Sequence, residues 1–110
     1  MAHQHGAESA WAVTVTATQV ACRRPDGAVE TVRWDDLRAV YIETTDEGPL
    51  APDVFWVLVG EAGGCTVPQG ATGEGALLRA LQALEGFDHE ALIGAMSSAE
   101  NRRFLCWRRP

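Results

Sequence analysis

Residues 65–78 read CTVPQGATGEGALL, an apolar strand, four breakers and the start of a leucine-rich helix. Glycines between a strand and a helix are where proteins cradle phosphates. A P-loop needs Lys and then Ser or Thr after its last glycine, and here Gly75 is followed by Ala76 and Leu77. The dinucleotide fingerprint G-x-G-x-x-G needs a third glycine that Gly73-Glu-Gly75 lacks, and it belongs to a parallel βαβ unit. Glu74 also puts a negative charge where a phosphate would sit. The loop therefore reads as a helix start, with Thr72 as the cap and Glu74 answering the helix dipole.

The other chemistry-bearing groups are scattered. His3 and His5 lie in the N-terminal stretch. Asp88-His89-Glu90 lacks the H-E-x-x-H spacing that puts two metal ligands on one helix face. Asp35, Asp36, Glu43, Asp46, Glu47 and Asp53 lack the alternating ligand spacing of a calcium loop. Cys22, Cys65 and Cys106 all fall in apolar strands, where a thiol packs as a small hydrophobe. His89 is the one histidine inside the folded region, and no nucleophile elbow accompanies it. The sequence implies no catalytic residue, no metal and no cofactor.

Charge narrows the partners. Fifteen Asp and Glu face nine basic residues, all of them Arg, for a net charge of −6. Without lysine there is no Schiff base and no P-loop lysine. An acidic surface disfavours nucleic acid, because phosphate neutralisation needs positive charge. The four arginines Arg102, Arg103, Arg108 and Arg109 flank the apolar stretch Phe104–Trp107, and Thr44–Pro52 is a separate exposed loop that carries Asp46 and Glu47. Trp34 and Trp107 stand near strand ends. The candidate partner-binding residues are thus Trp34, Asp46, Glu47, Arg102, Arg103, Trp107 and Arg108.

The positioning elements follow from periodicity. Trp11 to Ala17 alternates as a strand, and the apolar parity then shifts to Val20 and Cys22, which places a bulge or break near Thr18-Gln19. Arg24-Pro-Asp-Gly27 is a tight turn, so Val29–Trp34 pairs back as a hairpin. Strands follow at Val40–Thr44 and at Val54–Val59. The latter is apolar on both faces and reads as central and covered. Cys65–Val67 is an edge strand closed by Pro68. Leu77, Leu78, Leu81 and Leu84 make one helical stripe, with Gly86 as its C-terminal stop and Phe87 folding back. Asp88 caps a second helix, with Phe87 and Leu92 placed as a hydrophobic staple. Phe104–Trp107 is the last strand.

The expected object is a single α+β domain over residues 11–110 behind a flexible N-terminus, 1–10. Its mainly antiparallel sheet has about six strands, with two helices between the fifth and the last. At 110 residues, with 46% hydrophobic and 22% charged residues, the chain is globular. No apolar run reaches a membrane span and the N-terminus is unlike a signal peptide, so a cytoplasmic protein with no membrane partner is expected. Three sparse cysteines suit reduced thiols.

The stretches VRWDDLRAVYIETTDEGP, DVFWVL, VPQGATGEGALLRALQAL, GFDHEALIGAM and NRRFLCW resemble a family of small bacterial proteins with no assigned function. The hairpin followed by Trp34-Asp-Asp-Leu37 and Val40-Tyr-Ile42 also resembles bacterial pleckstrin-homology-like domains. That resemblance implies a bent antiparallel sheet with a helix over one end, used for binding and not catalysis. The basic loop lysines that bind phosphoinositides in that class are absent here. The functional expectation is a non-catalytic binding or assembly module acting through protein contacts, with a protein partner or a second copy (a homodimer through free sheet edges). A small acidic immunity-type inhibitor of a basic toxin or nuclease stands second, and an enzyme third.

Overall fold

The computed structural model describes residues 10–46 and 54–110. Seven strands and two helices run in the order β1 (Ala12–Val15), β2 (Gln19–Arg23), β3 (Val29–Arg33), β4 (Leu37–Thr44), β5 (Val54–Gly60), β6 (Gly64–Pro68), α1 (Glu74–Gln82), α2 (His89–Met96) and β7 (Arg102–Arg108). They form two antiparallel sheets, β1-β2-β3 and β6-β5-β4-β7. The α+β class holds. The single sheet does not, and the helices fall between the sixth and seventh strands. No helix among the described residues is long and apolar enough to cross a membrane.

The extra strand comes from Thr16–Thr18. A bulge or break was expected near Thr18-Gln19, and the chain instead reverses there. Thr16 Oγ1 accepts from the backbone N–H groups of Thr18 (3.2 Å) and Gln19 (3.1 Å), and Thr16 N donates to Gln19 O (2.9 Å). A threonine that satisfies the turn's donors makes reversal cheaper than a bulge. The shift of apolar parity is a change of strand: Val13 pairs with Cys22 and Val15 with Val20. The β2–β3 turn is as the sequence implies. Asp26 Oδ1 accepts from Ala28 N (2.9 Å), and Gly27 takes φ +90°.

The apolar face of the small sheet (Val13, Val20, Cys22, Val32) is buried, as is one face of the large sheet. Edge strand β6 is closed by the small sheet, because Glu30 Oε1 accepts from Thr66 N (3.1 Å). This carboxylate quiets a free edge that would otherwise template pairing. On the large sheet Val40, Ile42, Trp56, Leu58, Cys65 and Val67 point inward, with Leu77, Leu81 and Phe87 in the same core. α1 lies against β1, and α2 against β7 and β4. β7 joins β4 in antiparallel register, with an irregularity between Val40 and Tyr41.

Cap chemistry splits. Asp88 caps α2 as expected, Oδ1 accepting from Ala91 N at 3.0 Å. The cap of α1 is Gly73, not Thr72, and it makes no side-chain cap bond. α1 ends at Ala83, and Gly86 takes its positive φ (+89°) three residues later, in the connection to α2. Gly73 has φ +90°, and a Cβ there would stand 2.2 Å from Val13 O. Gly27 shares that φ but has open space around it. Gly73→Ala is therefore expected to cost more than about 2 kcal/mol, and Gly27→Ala only about 1 kcal/mol, measured by urea unfolding. Equal costs at the two sites would show that the contact with Val13 is not what fixes Gly73.

Candidate functional site

The glycine loop is already occupied by the protein's own groups. Glu74 Oε1 accepts from Gly70 N (2.9 Å), and Glu74 Oε2 from Trp56 Nε1 (3.0 Å). Thr72 N donates to Trp11 O (2.9 Å), while Val13 N donates to Thr72 O (2.8 Å). Ala71 N and Glu74 N bond to Pro68 O and Ala71 O. A phosphate needs several convergent free N–H groups, and here these donors are spent within the chain. Glu74 sits where the anion would.

The histidine and the thiols lie apart in role. His89 stacks edge-on against Phe87, ring centroids 5.0 Å apart, in the first turn of α2. Cys22 and Cys65 meet at the seam between the sheets. Cys22 Sγ donates to Thr66 O (3.7 Å), and Cys65 Sγ to Glu30 O (3.3 Å). Burial pushes the Cys65 thiol up to about 12, with Cys22 and Glu30 adding to the rise. Burial also raises Cys22 and Cys106 to about 11. Thiols held this way are poor nucleophiles.

The partner-binding candidates separate into two groups at opposite ends of β7. At its start, Arg103 Nε donates to Glu43 Oε2 (3.0 Å), and its guanidinium lies over the Tyr41 ring at 4.9 Å. Arg102 lies over Phe104 at 4.8 Å. Asp46 is exposed, its backbone N–H donating to Asn101 Oδ1 (3.3 Å). At the other end Trp107 is buried in the core and donates from Nε1 to Glu85 O (2.9 Å). Trp34 opens a 3-10 turn, not a strand as expected, and its Nε1 donates to Thr16 O (2.9 Å). Arg109, outside the candidate set, is the arginine that locks this end: Nε donates to Leu37 O and Nη2 to Trp34 O, both at 2.7 Å. Arg108 is exposed. Glu47, the rest of the loop up to Asp53, and His3 and His5 lie outside the described residues.

Two surfaces emerge that periodicity did not reveal. The first is the outer face of the large sheet. Register puts Arg108, Ala39 and Val59 in one row, Leu105, Tyr41 and Val57 in the next, and Arg103, Glu43 and Phe55 in the third. Tyr41, Phe55, Val57, Val59 and Leu105 stand outside the core cluster, the first three of them half-buried. Val59 and Leu105 are each 38% exposed. The expectation that β5 is covered on both faces is corrected: it is central, but described elements cover only its inner side. The second surface is a cleft of about 500 Å³ between α1 and α2, floored by Trp56 and walled by Leu78, Leu92, Ile93 and Met96. Both surfaces carry aromatic or aliphatic side chains that a lone fold does not need outside.

The thiols give a direct check. Native protein should react slowly with a disulfide reagent at pH 8, and all three thiols should react once urea unfolds it. Because the folded values lie above the ordinary 9.0, the unfolded chain loses these protons first. Stability contributed by the protonated thiols is thus complete below pH 9 and falls as pH rises toward 11–12. A fast-reacting native thiol at pH 8 would contradict the buried placement.

No protein-family model, no curated protein and no solved structure matches this chain.

Proposed function

We propose that this chain is a non-catalytic binding and assembly module whose partner is a second copy, docked on the outer face of the large sheet. The observation that carries the reading is the apolar row Tyr41, Phe55, Val57, Val59 and Leu105 on three adjacent strands, with no described element over it. Its surroundings have the anatomy of an interface, apolar in the middle and polar at the rim. Glu43 and Arg103 pair at one end, and Arg38 and Glu61 pair at the other. Arg108 stands on the same face without an ion pair among the described residues. The non-catalytic part is supported by three thiols that burial holds protonated.

Size sets the strength. Three strands about 4.8 Å apart, with five residues each rising about 3.3 Å, make a patch on the order of 240 Å². That is below the roughly 800 Å² per partner of a standard interface, so the dimer is weak and concentration-dependent. The pleckstrin-homology-like reading enters on the same footing. Seven strands agree with the strand count of that class, while the element after the helices is a strand.

Sedimentation velocity across a concentration series tests the assembly. Wild type should show a monomer–dimer equilibrium in the micromolar to millimolar range. Val57→Asp and Leu105→Arg should each shift it about tenfold or more toward monomer, with circular dichroism unchanged. A wild type that stays monomeric at millimolar concentration sinks the reading. So does a dimer indifferent to both substitutions.

A further inference from the structure

We infer that the cleft between α1 and α2 is a binding site for a small, neutral, largely apolar molecule. The site is separate from the sheet face, since it opens on the other side of β5. Its volume of about 500 Å³ falls within the roughly 300–1,000 Å³ of small-molecule pockets. Trp56, Leu78, Leu92, Ile93 and Met96 form the apolar walls, with Gln69, Glu74 and Ser97 as the polar contribution. Ile93 is 66% exposed and Met96 43%, large apolar side chains left in the open at the mouth of the cleft. Methionine suits a wall that must adapt to an occupant.

The polar groups specify neutrality. Both Glu74 oxygens already accept, from Gly70 N and Trp56 Nε1, and the carboxylate repels an anion, while the apolar walls disfavour burial of any charged group. Ser97 Oγ donates to Ile93 O (2.9 Å), which leaves its lone pairs able to accept. Among the described residues Gln69 Nε2 reaches the Met96 sulfur, at 3.7 Å, a weak use of an amide. One hydrogen-bonding group on an apolar body would satisfy both. Arg79 lies on the rim beside Gly75 and is exposed, where a single charge counts for little.

Gly75 adds a second line of argument. It lies inside α1 at an ordinary helical φ, and a Cβ there would meet nothing closer than Arg79 Nη1 at 3.6 Å. Backbone geometry does not require glycine, and helix propensity disfavours it. Its consequence is an open cleft, because Gly75 is part of the lining.

A matched pair of dyes tests this: neutral N-phenyl-1-naphthylamine and its sulfonated analogue, 8-anilinonaphthalene-1-sulfonate. The neutral dye should bind saturably at one site per chain, about tenfold or more tighter than the sulfonate. Gly75→Leu, which fills the cleft, should weaken it about tenfold or more while thermal stability is kept. Met96→Glu, at an exposed wall position, should weaken it likewise, and Val57→Asp on the sheet face, compared with wild type at a protein concentration where both are monomeric, should not. The inference is overturned by absent or unsaturable binding of the neutral dye, by equal or tighter binding of the sulfonate, or by affinity indifferent to both cleft substitutions. It is equally overturned if Val57→Asp alone abolishes binding, which would move the dye to the sheet face.

Discussion

The Glu74 carboxylate is the tie on which the arrangement depends. One oxygen holds the indole N–H of Trp56, from the middle of the large sheet, and the other holds Gly70 N. The loop it closes is bound in turn to the small sheet through Thr72, Trp11 and Val13. Two sheets and the start of α1 thus meet around one acceptor. Trp56 is the largest fully buried side chain, and its only polar atom would be an orphan without this partner. An unsatisfied buried donor costs roughly 1–3 kcal/mol. The charge-assisted bond removes that penalty and fixes the entry of α1, where a carboxylate also suits the helix dipole. A loop with the glycine content of a phosphate cradle is in effect loaded with the protein's own anion.

The arginines show the same economy at the surface. Arg109 serves backbone carbonyls, Arg103 serves Glu43 and Tyr41, and Arg102 covers Phe104. These are local positioning roles that close β7 onto β4. A count of four arginines in nine residues suggested a basic patch, yet three of the four turn their heads to separate places. What remains available is one guanidinium at the margin of an apolar face, in a chain whose other charges are mostly negative. That geometry favours a partner read by shape and apolar contact, with charge confined to orientation.

How much was legible in the sequence depended on the range of the interaction. Asp26-Gly27 and Asp88 act through bonds two or three residues away, and both behave as their types imply. That β4 to β7 are strands follows from local apolar pattern, but β4 begins at Leu37 and not at Val40, and β7 runs Arg102–Arg108 and not Phe104–Trp107. Thr16 also acts locally, but a threonine turn leaves a weaker signature than Pro-Asp-Gly, so a reversal read as a bulge. The two-sheet division depends on Glu30 reaching Thr66, 36 residues away, and no periodicity encodes it. The partner candidates fared according to the same rule. Trp107 was a contact candidate because it stands near a strand end, yet its indole finds Glu85 O and the core. Arg103 and Arg108 do stand on the face proposed for docking, but only the β4–β7 register shows it. Val54–Val59 carries apolar side chains on both sides, which normally means two covered faces. Here one face has no described cover, and a local pattern at odds with its surroundings is where function is expected to reside.

The two surfaces share one strand. Trp56 floors the cleft from the inner side of β5, while Phe55 and Val57 stand on its outer side. Alternation along a strand places neighbours on opposite faces at a separation of one residue. An occupant that packs against Trp56 therefore presses on the backbone that presents Phe55 and Val57. A close-packed sheet transmits such displacement rather than absorbing it. If cleft occupancy changes self-association by some factor, thermodynamic reciprocity makes self-association change cleft affinity by the same factor. The linkage requires only that β5 have a different preferred position with the cleft filled than with it empty. The Trp56–Glu74 bond is the element through which that preference would be set, because the indole cannot follow an occupant without moving the carboxylate that anchors α1.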